Sequence, residues 1–284
     1  IYSALDRKLV FANDPVYNKQ SSNGKVVYEM LKWEEYGYVD YVSYSDWLMT
    51  LLKAGEIDQA TYDAVAKVPN KIKNMIEALG FRIDQISDCI IASVVPPVFN
   101  SVCTGVIKII GKKPMVVGPG LKTGLNIQIE NPSQTGADLV VGCVAALREH
   151  KAPLIVIDMG TATTIVVLDK DGAFIGGSIS PGVKISMDAL TDRTALLPGL
   201  QLDQPKKAIG RNTIDCMRSG IMLGNACMLD GMVERMEEEL GYKTTVVATG
   251  GIAKFVLPLC KREMIYDKDL LVKGLAILYR ENKR

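Results

Sequence analysis

Apolar and polar positions along the chain sort into short β-branched runs and longer helical periods. The clearest run is Leu154, Ile155, Val156 and Ile157. It is too short for a helix and rich in β-branched residues, which predicts a buried strand. The run ends in Asp158, then Met159-Gly160-Thr161-Ala162-Thr163-Thr164. A second strand is predicted over 165–168. Asp169-Lys170-Asp171-Gly172 follows as a hairpin turn, with Gly172 suited to positive φ. A third strand over 173–179 closes on Gly176-Gly177 and Pro181-Gly182. The pattern is a β-meander with Asp-x-Gly-Thr at its first bend.

Helical signals dominate upstream. Ser45-Asp46 reads as a cap for a helix with Trp47, Leu48, Leu51 and Leu52 on one face, ended by Gly55. Asp58 can start a second helix, through Lys67. Pro69 opens a third, with Ile72, Met75, Ile76 and Leu79 inward and Gly80 as its C-terminal stop. A strand over 89–95 is stopped by Pro96-Pro97, a helix spans 98–110, and a short strand over 115–117 runs into Gly118-Pro119-Gly120. Strand–helix–strand order predicts a parallel α/β unit. A helix over 133–149 carries Gly136-Ala137-Asp138 in its first turn. Beyond the meander, helices are expected over 183–196, 214–240 and 267–279. A strand over 244–248 should enter Thr249-Gly250-Gly251 and a helix from Ile252.

The 284 residues suit one large domain or two ordinary ones, and 48% hydrophobic with 23% charged residues describes a globular chain. A net charge of +1 gives no reason to expect nucleic acid or a membrane surface as partner. There is no signal-peptide pattern and no apolar run near the ~18 residues of a membrane span. The six cysteines form no CxxC and read as small core residues in a reducing cytoplasm. His150 is the single histidine, which argues against histidine triads and His-rich metal sites. Any chemistry must run on carboxylates, hydroxyls and backbone amides.

Candidate chemistry gathers at the meander's first bend. Gly160 lets a ligand approach the backbone, and the bend amides with Thr161, Thr163 and Thr164 offer donors for phosphate oxygens. Asp158 would repel bare phosphate unless a cation lies between them. The alternative is a tight hairpin whose Asp and Thr satisfy their own backbone. Asp138 is a general base for a substrate hydroxyl or a stabiliser of its helix N-terminus. Asn212 or Thr213 is a ligand contact or a helix cap. Gly250-Gly251, between strand and helix, brings backbone close to a ligand. The tyrosines of residues 1–44 pack a peripheral layer, and Ser21-Ser22-Asn23-Gly24-Lys25 reads as a surface turn.

From Ile90 onward the sequence resembles the type III pantothenate kinases. The matching blocks, in family order, are Ala92-Ser93-Val94-Val95-Pro96-Pro97, Val117-Gly118-Pro119-Gly120 with Lys122-Thr123-Gly124, and Asn131-Pro132 leading into Gly136-Ala137-Asp138. Then come the Asp158 to Thr164 bend, Gly176-Gly177 with Pro181-Gly182, Ala195-Leu196-Leu197-Pro198, Gly210-Arg211-Asn212-Thr213 and Thr249-Gly250-Gly251. The resemblance implies an α/β actin-like kinase fold of two ribonuclease-H-like domains, placed at 1–152 and 153–284, with ATP between them. It implies ATP-dependent phosphorylation of pantothenate to 4′-phosphopantothenate, the first step of coenzyme A biosynthesis. It also implies Mg²⁺, K⁺ or NH₄⁺, a cytoplasmic homodimer, and pantothenate near the subunit interface. By the same resemblance Asp138 is the catalytic base. Gly136, Ala137, Asp138, Leu139 and Thr213 bind substrate. Gly160, Thr161, Gly250 and Gly251 approach ATP, and Asp158 holds the monovalent cation.

Three departures bear on that reading. The family's N-terminal Asp-x-Gly-Asn-Thr hairpin is not found in residues 1–80, and the expectation is a strand pair preceding Ile1. Leu139 stands where the family usually has an Arg that can pair with a carboxylate. Ile129 stands where an aromatic residue is expected. The missing hairpin and Leu139 motivate an alternative: a catalytically impaired paralogue that binds a ligand or a partner. A kinase of the same fold with a less acidic substrate is a third reading, on Leu139.

Overall fold

The computed structural model describes residues 68–93, 96–192 and 203–283. The helices expected from Ser45-Asp46 and Asp58, the tyrosine-rich start, the turn at 21–25 and the Ala195-Leu196-Leu197-Pro198 block lie outside the described residues. The chain divides into two compact units between Val117 and Gly118.

In the first unit, helix α1 (Val68–Ala78) ends as its glycine predicts. Gly80 takes φ +80°, its N–H donates to Glu77 O at 2.9 Å, and the Phe81 N–H reaches back to Ile76 O at 3.2 Å. Strands β1 (Ile90–Ile91) and β2 (Met115–Val116) pair in parallel across helix α2 (Pro96–Ile110). The expected strand–helix–strand unit is there, with shorter strands. Helix α2 starts at Pro96 itself, because proline suits the first helical turn, where its missing N–H costs nothing.

The second unit is built on one mixed sheet. Its strands are β3 (Leu154–Met159), β4 (Ala162–Leu168), β5 (Phe174–Pro181), β6 (Thr245–Thr249) and β7 (Ile265–Tyr266), in the order β5-β4-β3-β6-β7. The meander β3–β4–β5 is antiparallel, whereas β6 and β7 add in parallel. Gly172 makes the predicted hairpin turn at φ +76°, donating to Asp169 O at 3.0 Å.

Alternation along the strands gives the sheet two apolar faces. Ile155, Ile157, Met159, Ile165 and Val167 face helix α5 (Thr213–Leu240), which contributes Met222, Ala226, Leu229 and Val233. Helix α4 (Val183–Asp192) and the short α6 (Ala253–Val256) complete that layer. Leu154, Val156, Val166 and Leu168 face helix α3 (Ala137–Glu149), through Cys143, Ala145 and Ala146, and Leu270 of helix α7 (Leu270–Asn282). Each fully buried Leu or Ile contributes about 1.5–3 kcal/mol. Helices α3 and α7 touch backbone to backbone: a Cβ on Gly274 would fall 2.1 Å from Val141 O.

Two helix boundaries and one reading of the cysteines differ from expectation. Helix α3 begins at Ala137 because Pro132–Gln134 forms a separate 3-10 turn and Thr135 is extended. The last helix begins at Leu270 because the Asp267 N–H instead donates to Ala248 O, prolonging the sheet. Two of the six cysteines, Cys216 and Cys227, are exposed on α5, and burial pushes the Cys143 thiol up to about 12.

Glu237 anchors the end of α5. Its buried carboxylate accepts from Arg262 Nη1 at 2.8 Å, Arg262 Nη2, Lys243 Nζ at 2.9 Å, and both N–H and hydroxyl of Thr244 at 2.8 and 2.9 Å. Burial alone would raise its pKa, but these donors outweigh it and hold the group at about 2, against 4.5 for a free glutamate. A depressed carboxylate contributes stability that is complete above the unfolded pKa and is lost as pH falls through the folded one. Acid should therefore remove on the order of 3 kcal/mol between about pH 4.5 and about pH 2. Glu237→Gln should lower stability at pH 7 by about 2–3 kcal/mol, since it strands a half-exposed arginine rather than a fully buried one, and should flatten that acid limb. Urea titrations at stepped pH check this. An unchanged acid limb in the variant would show that other groups set it.

Candidate active site

Strand period places Asp158 on the same sheet face as Leu154 and Val156, the face that α3 covers, opposite Thr164 on β4. Helix α3 starts with Gly136 as N-cap, then Ala137 and Asp138. Its first turn brings a second acid to the end of β3. Burial first, and then the charge of Asp138, push the Asp158 carboxyl above the ordinary carboxylate range. Asp138 accepts the Leu139 backbone N–H at 2.9 Å and stands at the positive end of its helix dipole. Among the described residues Asp158 has no hydrogen-bond donor or cationic partner.

The bend between β3 and β4 is braced from behind. The Gly160 N–H donates to Ala162 O at 3.0 Å and the Gly182 N–H to Thr161 O at 3.1 Å. Gly182 is required there, since a Cβ would lie 2.2 Å from Thr161 O. At Gly160 a Cβ would meet nothing closer than 3.8 Å, so the space beside this exposed residue is open to a ligand. The three expected hydroxyls do not act together. Thr161 is exposed at the bend and Thr164 is half-buried on the Asp158 face. Thr163 is fully buried on the other face with Met159, so it belongs to no phosphate cradle.

Gly250 joins this group. It takes φ +100°, and a Cβ would fall 2.5, 2.6 and 2.7 Å from Met159 O, C and N. The Gly-Gly turn after β6 is thus seated on the residue preceding Gly160. Gly251 beside it is exposed, and a Cβ there would meet nothing within 4 Å. The Tyr266 hydroxyl, which no sequence signal singled out, donates to Gly250 O at 3.4 Å. Thr213 opens α5 after Asn212, whose side chain caps Asp215 N at 2.9 Å. Thr213 is exposed and does not join the acids.

Next to the acids lies a cavity of about 560 Å³, within the usual range for a small-molecule site. Leu139, Ile129, Thr135 and Thr164 line it, with Ile175 and Ile179 of edge strand β5. The buried hydroxyls of Thr135 and Thr164 have no hydrogen-bond partner, an arrangement that a polar ligand would complete. Periodicity could place Ile175 and Ile179 on a strand but could not show that they wall a cavity. Among the described residues no group of three or more His, Cys, Asp and Glu could hold a metal on its own, and no helix is long and apolar enough to cross a membrane.

Comparison with known proteins bears on this site directly. Residues 44–235 match the family model for type III pantothenate kinase, a span holding both acids, the bend, the cavity and Thr213. A type III pantothenate kinase of Bacillus cytotoxicus is 42% identical over 214 residues, covering 74% of this chain and 80% of its own. Among solved structures, one described as a Baf family transcriptional activator from Campylobacter jejuni aligns at TM-score 0.45 and 21% identity, over 59% of this chain and 72% of its own. The ethanolamine utilization protein EutJ from Carboxydothermus hydrogenoformans aligns at TM-score 0.42 and 14% identity, over 75% and 74%.

Proposed function

The chain belongs to the type III pantothenate kinase family, and on that premise we propose how its residues divide the work. It has the family's actin-like kinase fold and phosphorylates pantothenate to 4′-phosphopantothenate at the expense of ATP, opening coenzyme A biosynthesis. Bound ATP supplies the phosphoryl group, and a divalent ion neutralises its phosphate charge. Mg²⁺ would ride mainly on the nucleotide phosphates and water, which leaves Asp138 and Asp158 for the roles below.

Asp138 accepts the proton of the pantothenate hydroxyl as that oxygen attacks phosphorus. The assignment is carried by placement: Asp138 lies in the first turn of α3 and Asp158 near the end of β3, where the charge of Asp138 adds to burial in raising the Asp158 carboxyl. Gly136, Ala137 and Leu139 seat the substrate beside the base. Gly160, Thr161 and Gly251 offer open backbone to the nucleotide phosphates, and Gly250, seated on the Met159 backbone, holds the Gly-Gly turn beside them. Asp158, half-buried and unpaired, holds K⁺ or NH₄⁺, which relieves its repulsion from Asp138 and from phosphate. Thr213, exposed and outside the cavity's described lining, fits a contact to the substrate of a second copy in a cytoplasmic homodimer.

The cation role has a direct test. Turnover should rise steeply when K⁺ replaces Na⁺ at constant ionic strength, and Asp158→Asn should lose about tenfold or more at saturating K⁺ together with that selectivity. A variant still activated by K⁺ would move the cation elsewhere.

A further inference from the structure

A chain of charged and polar groups at the start of α5 surrounds Thr213. The Asn212 amide donates from Nδ2 to Asp215 Oδ2 at 2.8 Å, while Asn212 Oδ1 accepts the Asp215 N–H at 2.9 Å. The other Asp215 oxygen faces Arg218 Nη1 at 3.5 Å, one turn further along the helix. Arg218 Nη2 reaches Asp203 Oδ2 at 3.4 Å, on the segment that leads into the cap. That segment lies against α5 at two further points. Ser219 Oγ donates to Ala208 O at 2.6 Å, and a Cβ on Gly210 would fall 2.4 Å from Cys216 N. One guanidinium therefore holds two like charges, Asp203 before Thr213 and Asp215 after it. The two carboxylate side chains are 63% and 42% exposed, so these pairs add little to stability. What they fix is the course of the chain on either side of Thr213.

We propose that Arg218 is a positioning residue for the reaction: through Asp203 and Asp215 it sets the Asn212 cap, and so the place of Thr213 against the substrate. The inference rests on the assignment of Thr213 to pantothenate made above. Without the guanidinium, two carboxylates stand near each other with no cation between them, and their repulsion parts the incoming segment from the helix. Thr213 then loses its fixed place. Asp138 on α3, and Asp158 and Gly160 at the end of β3, belong to other elements and keep theirs. Lysine is a single point charge where arginine forks to two acids, so it can restore only part of the arrangement.

The test is steady-state kinetics of Arg218→Met, Thr213→Val and the double variant, with pantothenate and ATP varied in turn. Arg218→Met should raise KM for pantothenate about fivefold or more, with kcat and KM for ATP within about twofold of the wild type. Its melting temperature should fall by no more than about 4 °C. Arg218→Lys should recover part of the loss. Because Arg218 acts through Thr213, the double variant should show the KM of Thr213→Val alone, not the product of the two effects. Should Arg218→Met fail to fold, Asp203→Asn opens the same chain of contacts at its exposed end and should raise KM for pantothenate about twofold or more, with the same split. If Thr213→Val raises that KM while Arg218→Met and Asp203→Asn do not, or if the two effects multiply, the inference is overturned and the site assignment stands. If Thr213→Val leaves it unmoved, the assignment of Thr213 falls and the inference falls with it.

Discussion

Asp138→Asn should cut kcat by about 10³-fold while leaving pantothenate affinity within a few-fold of the wild type. Positioned general bases contribute about 10²–10⁴ to rate. Asparagine keeps the size and the hydrogen-bonding outline at the start of α3, so the substrate still finds its place. It cannot take the proton, and the hydroxyl must then attack as the neutral alcohol. The substitution also removes the lesser of the two influences that raise Asp158, whose carboxyl should fall part of the way toward its ordinary range while burial still holds it up. Stopped-time assays of product, with calorimetry of pantothenate binding, separate the two effects. If kcat and affinity fell together, Asp138 would be a binding residue and the base would lie elsewhere.

Gly250→Ala should damage both fold and turnover. The residue sits at φ +100°, and its new methyl would lie 2.5 Å from Met159 O, a backbone atom with no rotamer to yield. Left-handed strain costs of order 1–3 kcal/mol, and overpacking costs a similar amount, so about 2–4 kcal/mol of stability should go. The structure can relieve the clash only by parting the Gly-Gly turn from the end of β3. That displaces the bend at Gly160 and Thr161, and a shift near 1 Å at such a site costs about 10²-fold in rate. Gly251→Ala is the matched control. Its methyl enters open space, so thermal stability should hold, and any rise in KM for ATP would report the nucleotide alone. Equal melting temperatures for the two variants would contradict the packing described here.

Much of this was legible in the chain itself. Leu154 to Ile157, the turn at Gly172 and the stop at Gly80 are local signals, and local physics decides them. Asp158 stood out because an acid at a strand end beside Gly160 and Thr161 makes poor sense without a ligand. Other features depend on partners distant in sequence. Strand β7 is only Ile265–Tyr266, too short for any period, and exists because β6 offers an edge. Thr163 and Thr164 look equivalent in sequence, yet alternation buries one and turns the other toward Asp158. Gly250 reads as a ligand-facing glycine, but its close neighbour is the backbone of Met159. The cavity is formed by a loop, the start of a helix and an edge strand, and no single segment announces it.

The account turns on two carboxylates serving one hydroxyl and one nucleotide. A crystal structure with pantothenate, a non-hydrolysable ATP analogue and Tl⁺ in place of K⁺ tests it most directly. The pantothenate hydroxyl should lie about 2.6–3.2 Å from an Asp138 oxygen, pointing at the γ-phosphate, with an anomalous peak at Asp158. A hydroxyl bound away from Asp138, or a Tl⁺ site remote from Asp158, would contradict it.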